Sequence, residues 1–348
     1  MKGFFDRPES RNRAIVGQNM KRGSSGAPSP TMERLREVLA DARQALPYVE
    51  RAPGGDLDRV QRIPQMAASI VNLHIGTDHL PDFDAPEANR PSERLTISEA
   101  VLRRSVAMRA GARLLVEPKA LAAVVGRDVV GFRQVPVGMS VVSPAAFSTF
   151  DAHSEPLPGA DALPLTPLSQ IIRTDTIERP DDMQAYGFRV SLKRSEQKER
   201  SDDVLLNAVM HAIVLGLART ADTALLGAIN ATFPQNTSQH YNISAVARAG
   251  LRFEELRAIV GTGENDSTKA ELGNLFVNGI PAELSAETAD TLIGAFDRFG
   301  LAMGGEITLL VKRAAFDGSV EVACWAAMRA IIPDMGYVWT TRWPMPLP

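Results

Sequence analysis

Residues 204–218, VLLNAVMHAIVLGLA, contain no charged side chain, and this run limits what the chain can fold into more than any other stretch. Asp202 and Asp203 stand immediately before it and Arg219 immediately after. A bilayer span needs roughly 20 apolar residues, so the charges arrive too early, and Asn207 and His211 would each be costly in lipid. The run therefore belongs inside a water-facing protein. Continued to residue 229, it reads as one helix over 203–229, about 40 Å long at ~1.5 Å per residue. Ser201 or Asp202 is placed to cap it, and two acids lie at its positive end. Leu205, Val209, Ile213, Leu217, Ala221, Ala224 and Ala228 share one face. Leu206, Ala212 and Leu215 fall elsewhere around the axis, and a helix apolar nearly all round is packed on several sides. His211 within it reads as a core histidine.

Composition narrows the function classes. A chain of 348 residues suggests about two domains. It is 45% hydrophobic and 23% charged with a formal net charge of −3, so nucleic acid or an anionic membrane is not expected as the main partner. The single cysteine, Cys324, excludes an intrachain disulfide and a cysteine-based zinc site, and its setting, VEVACWAAM, suits a buried inert thiol. The opening residues, MKGFFDRPESRNRAIV, have no apolar core or cleavage site of a secretory signal, which predicts an intracellularly made, reduced protein.

Residues 1–30 carry six Lys or Arg against two Asp or Glu, a net +4 that leaves −7 for the remainder. They read as a flexible arm, or as one that crosses to a neighbouring subunit or reaches nucleic acid. Thr31 can cap a helix in which Leu35, Val38, Leu39, Ala42 and Leu46 recur at helical spacing, ended by Pro47. Residues 57–73 read as a second helix interrupted by Pro64, and 92–116 as an amphipathic helix running into Gly111, with Ser92 and Glu93 at its start. From about 124 to 142, alternating valines and glycines predict strands and turns. Residues 143–168 hold five prolines, too many for a regular core element. Extended stretches at 169–178 and 183–194 flank a turn at 179–182, and the whole reads as a long projecting loop or hairpin, of a kind that lies on something else. In the last third, 252–263 reads as a short helix ending at a glycine pair, and 271–284 as strand, Asn278-Gly279 turn, strand. A serine cap position opens 285–296, and two long strands follow, joined at Asp317-Gly318.

Signatures of catalysis are missing. No phosphate loop and no glycine-elbowed serine occurs. GTGEND at 261–266 has Asp266 where a dinucleotide motif has its third glycine, and it is expected to follow a helix, so it reads as a turn. His74, Asp78, His79, Asp82, Asp84 and Glu87 are grouped in one loop, but in neither a calcium-loop order nor the two-histidine helical spacing of a zinc hydrolase; a solvated acidic loop is expected. Glu254-Glu255 reads as a solvent-facing pair on a helix. No catalytic, cofactor-binding or metal-binding residue is nominated, and no cofactor.

The order of parts carries more information than any motif. A proline-rich extended loop leads to the strand AYGFRVSLKR, then to an acidic helix start and the long helix with Asp222 and LLG at 225–227. Residues 292–313 and 318–339 supply a glycine-aromatic strand, a long hairpin and a last strand. Over about 136–343 this resembles the major capsid proteins of tailed bacteriophages, the Hong Kong 97-type fold. The resemblance implies an α+β fold with N-terminal arm, extended loop, long spine helix, peripheral and axial domains. It divides the chain into a flexible basic arm (1–30), a mainly helical N-terminal region (31–135), an extended projecting loop or hairpin (136–195), the spine helix and peripheral domain (196–262), an axial domain (263–305), and closing strands with a C-terminal tail (306–348). It implies a non-enzymatic shell subunit that assembles with copies of itself into hexamers and pentamers around double-stranded DNA. Such a subunit touches the DNA by weak non-specific contact, can meet portal, scaffold or decoration proteins, and involves no membrane. Its place would be the virion capsid, assembled in the bacterial host cytoplasm. An encapsulin-type nanocompartment shell shares the fold, and an α/β enzyme with a site near 261–267 or the acidic loop is the alternative from another class.

Overall fold

The computed structural model describes residues 30–44, 48–51, 61–64, 68–81, 94–117, 121–124, 130–133, 136–149, 165–178, 182–233, 240–263, 268–313 and 318–341. The basic arm, Asp82, Asp84 and Glu87 of the acidic loop, and residues 150–164 of the proline-rich segment lie outside them.

The chain opens with α1 (Pro30–Gln44), whose Leu35, Val38, Leu39 and Ala42 are buried as their spacing requires. A small hairpin, β1 (Tyr48–Arg51) and β2 (Gln61–Pro64), precedes β3 (Ala68–His74), and β4 (His79–Pro81) pairs with β5 (Arg94–Thr96). Then come α2 (Ile97–Arg104), the single turn α3 (Val106–Arg109), β6 (Arg113–Val116), and the hairpin of β7 (Leu121–Val124) and β8 (Val130–Arg133). Among the described residues of 31–135, strands outnumber helices. Of the helix expected over 57–73, the described residues 61–64 and 68–73 are strand instead, because Val71 and Leu73 alternate with exposed Ile70 and Asn72, and β3 pairs edge to edge with a later strand. The helix expected over 92–116 is shorter and broken. It starts at Thr96, not Ser92, through a capping box with Glu99. It stops at extended Ser105, and Gly111 at φ 116° turns the chain into β6.

Next are β9 (Val137–Val142), the short α4 (Leu168–Ile171), β10 (Ile172–Ile177), β11 (Gln184–Leu192), the short α5 (Arg194–Glu199) and α6 (Asp202–Thr232). Both extended stretches around 179–182 form, but not with each other. β10 pairs with β9 and β11 joins the large sheet, so the hairpin is made by 137–142 and 172–177. Beyond α6 lie α7 (Ile243–Arg248), β12 (Arg257–Val260), β13 (Thr268–Glu271), β14 (Asn274–Val277), β15 (Ile280–Leu284), β16 (Leu292–Gly294), β17 (Gly300–Arg313), β18 (Val320–Ile331) and β19 (Val338–Thr340). The helix expected at 252–263 is one 3-10 turn followed by β12, whose Ala258, Ile259 and Val260 are buried inside a sheet. No helix follows Ser285 either: its Oγ accepts from Glu287 N–H in an irregular turn that leads into β16.

Two sheets result. One has the order β11-β18-β17-β3, with β6 parallel to the start of β17; the other runs β13-β14-β15-β12-β16-β19. Asn278 at φ 52° and Gly279 at φ 79° make the tight turn between β14 and β15 that the dipeptide predicted.

At 31 residues α6 is the longest helix among those described, about 46 Å at ~1.5 Å per residue. It is long and apolar enough to cross a membrane, so the length argument against a span does not hold for the whole helix; half of its most apolar window is instead buried in this chain. Leu205, Val209, Ile213 and Leu217 are buried, and the helix packs on β18, β11 and β17 and is also touched by α1, α2 and α3. Along β18, Val322, Cys324, Ala326 and Met328 point toward this layer, joined by Ile307, Leu309 and Val311 of β17. The Phe188 ring fills the space where a Cβ on Gly216 would stand, so β11 and α6 are in direct contact there. Burying one Leu, Ile or Val contributes about 1.5–3 kcal/mol, so this seam is a substantial part of the core.

Candidate assembly interface

The most site-like feature among the described residues is apolar surface left bare, of which three places stand out. The first is the β9–β10 hairpin. Its root is built into the body: Met139 and Ile177 pack with Ala302 and Ile331. Asp175 accepts from Ile332 N–H at 2.8 Å and pairs with Arg329 at 3.3 Å. Arg173 lies 3.8 Å from Asp334, and Arg298 donates to Val142 O at 3.4 Å. Val142 stands opposite Ile172 across the ladder, both exposed. Phe147, Leu165 and Leu168 are exposed at the far end, where α4 rests against the 3-10 turn at Pro144–Ala146 and Ser148 N–H donates to Thr166 Oγ1. Five large apolar side chains are thereby held in one ordered patch facing water, the pattern that marks an interaction surface.

The second is the β13–β14 turn. Leu272 there is wholly exposed (102%) and at φ 48°. A bulky residue in the left-handed region is an outlier that costs about 1–3 kcal/mol. The third is the face of the large sheet turned away from α6, where Ile70 of β3 and Trp325 of β18 are exposed.

The buried polar centre is elsewhere. Asp222, in the middle of α6, accepts from Ser105 Oγ–H at 2.6 Å, Val106 N–H at 2.9 Å and Ala107 N–H at 2.9 Å. It caps α3 from a distance of more than a hundred residues and locks α6 to the α2–α3 corner. Burial, the largest effect, raises its carboxyl above the ordinary value; the hydrogen bonds from Ser105, Ala107 and Val106 oppose this and the charge of Glu287 adds to it. We expect Asp222→Ala to lower the unfolding free energy by about 3 kcal/mol or more, since three donors lose their acceptor; denaturant titration measures it. The pH dependence has a definite sign. The folded carboxyl binds its proton more tightly than the unfolded one, so its contribution to stability falls as pH rises from the ordinary aspartate range through the folded pKa. The stability of the wild type relative to Asp222→Asn should decline across that window, and a flat difference would show that burial does not govern this carboxyl.

Other residues considered in the sequence find structural roles. Burial pushes the Cys324 thiol up to about 12. Asp78 is buried and closes a turn by accepting from His74 N–H at 2.8 Å. Among the described residues no three His, Cys, Asp or Glu are grouped so as to hold a metal. The glycines of GTGEND follow strand β12, not a helix, and the next described element is again a strand, so no helix end is presented to a phosphate. A Cβ on Gly261 would lie 2.6 Å from Asp290 O, and one on Gly263 2.7 Å from Ala289 O; the glycines let two loops touch. Glu255 is half-buried, accepts from Arg252 N–H at 2.7 Å and lies 3.6 Å from Arg298, so only Glu254 is the solvated acid expected. The partners of Asp222 could not be found in the sequence, because Ser105 sits in no recognisable relation to it.

The anchored, apolar-ended hairpin has the character of a surface that another chain could cover. No family model matches this chain, and no curated protein does. Solved structures similar to it include a chain of the satellite phage P4 procapsid including size determination (Sid) protein, at 11% identity, with 70% of this chain and 97% of that one covered and a TM-score of 0.39. Another is a chain of the capsid of a native GTA particle, at 11% identity, 68% and 90% coverage and a TM-score of 0.36. A third, from a virus-like particle of Pyrococcus furiosus, shows 8% identity, 71% and 98% coverage and a TM-score of 0.35. Overlaps of this size carry no argument about function, which rests on the geometry above.

Proposed function

We propose that this chain is the major capsid protein of a tailed DNA phage, a Hong Kong 97-type subunit that self-assembles into an icosahedral shell. The observation that carries the reading is the β9–β10 hairpin, fixed at its root by Asp175, Met139 and Ile177 and bare at its end through Phe147, Leu165 and Leu168. In a lone subunit that surface is a liability; in a closed shell each hairpin lies on the next subunit and every such patch is covered. On this reading the hairpin is the extended loop, α6 the spine helix, the β11-β18-β17-β3 sheet the peripheral domain and the six-stranded sheet the axial domain. The partners are copies of the same chain, packaged double-stranded DNA held by weak non-specific contact, and portal, scaffold or decoration proteins, with no membrane involved. No catalytic step is assigned.

Size-exclusion chromatography and electron microscopy of the purified protein test the reading. Closed particles in the megadalton range are expected, and a 37.6 kDa monomer under every assembly condition would overturn it. Nuclease-resistant DNA inside particles from the native source, in place of a protein cargo, separates a phage shell from a nanocompartment.

A further inference from the structure

We propose that Asn278 is a site of spontaneous covalent modification, at which its side-chain amide is lost through attack by the Gly279 backbone nitrogen. Asparagine amides are chemically labile, and access of the next residue's nitrogen to the side-chain carbonyl decides which of them reacts. Asn278-Gly279 is the one Asn-Gly pair in the sequence; every other asparagine precedes a residue whose side chain crowds that approach. The pair makes the turn between β14 and β15, closed by Val277 opposite Ile280, and both turn residues are exposed. In a two-residue hairpin turn the ladder uses the backbone of the flanking residues, so the Gly279 nitrogen is not spent on strand pairing. The Asn278 side chain makes no hydrogen bond with any other described residue. Asn278 also starts from φ 52°, in the sparsely populated left-handed region. The turn must open for nitrogen and carbonyl to meet, and an exposed hairpin tip is where local opening costs least.

Water is the only co-reactant. The Gly279 nitrogen gives up its proton and bonds to Asn278 Cγ; the Cγ–Nδ2 bond breaks, and ammonia leaves carrying a proton in exchange. The product is a cyclic imide joining the two residues. Water then adds to one of its two carbonyls. Cleavage at the side-chain carbonyl leaves aspartate at this position. Cleavage at the main-chain carbonyl leaves isoaspartate, with the chain now running through Cγ and longer by a methylene. Either product gains a negative charge. Aspartate followed by glycine accepts the same turn. Isoaspartate does not: the added backbone atom displaces Val277 from Ile280, and both are fully buried in the six-stranded sheet.

The test is incubation of the full-length protein in mildly alkaline buffer at physiological temperature, with conversion at each asparagine read by peptide mapping and mass spectrometry. Asn72 of β3, Asn207 of α6 and Asn274 of β14 are internal controls: each is exposed, lies inside a strand or helix and precedes Leu or Ala. Asn278 is expected to convert at least about tenfold faster than any of the three, a barrier lower by ~1.4 kcal/mol. Its rate should rise with pH, because the attacking nitrogen must lose a proton. An isoaspartyl-specific methyltransferase should label the aged wild type and not freshly purified Asn278→Asp, which carries the charge on an ordinary main chain. Asn278→Asp should also keep the wild-type unfolding midpoint. Conversion at Asn278 no faster than at the three controls, or a rate that does not change with pH, overturns the proposal. Conversion that leaves no isoaspartate overturns it as well, since opening of the cyclic imide yields both products.

Discussion

Leu217→Asp is expected to give insoluble or unfolded subunits. Leu217 is 1% exposed at the middle of α6, a helix packed between the large sheet and α1, α2 and α3. A carboxylate there loses its hydration without gaining a partner, a cost of several kcal/mol on top of the lost apolar burial. Domain stabilities are about 5–15 kcal/mol, so a large part of the folding free energy disappears. Leu215, two positions earlier on the same helix, is 40% exposed. Leu215→Asp should therefore leave a soluble, folded chain. The soluble fraction after expression and the circular dichroism of both variants check this; equal behaviour would mean that α6 does not present Leu217 to the core.

The second large effect concerns assembly. The triple variant Phe147→Ser, Leu165→Ser, Leu168→Ser should fold with nearly the wild-type unfolding midpoint and yet fail to build regular particles. Each of these side chains is exposed in the subunit, so its loss removes little internal burial. Covered by a neighbour, each would contribute about 1.5–3 kcal/mol per copy, and the loss is repeated at every contact of a symmetric shell. Sedimentation and electron microscopy read the assembly state while thermal unfolding reads the fold. Normal particles would remove the hairpin end from the intersubunit contacts. A collapsed midpoint would show that the patch belongs to the subunit's own core.

Several parts of this architecture could be read from the chain before any coordinates. The uncharged run at 204–218 required a buried helix, and α6 is one, starting at the two acids that mark its positive end. Asn278-Gly279 specified its turn because few other dipeptides accept two positive φ angles. The prolines of 143–168 excluded a core element, and the described part of that segment is short turns. In each case the deciding interaction lies within a few residues, so local sequence determines the outcome.

Elsewhere the deciding partner is remote, and tertiary structure made the choice. Residues 68–74 carry a pattern that fits either a helix or a strand, and the open edge of β17 selected the strand. Glu254 and Glu255 suggested a helix, but Ile259 and Val260 gain more by completing β12 between β15 and β16. The extended segments at 172–177 and 184–192 looked like each other's partners, and each found a strand from a different part of the chain. Asp222 shows no sign in sequence of capping α3. The physical reason is one of range. Periodicity and turn chemistry act over a few bonds and are printed in the sequence, whereas strand pairing and caps from afar depend on which surfaces the whole chain brings together.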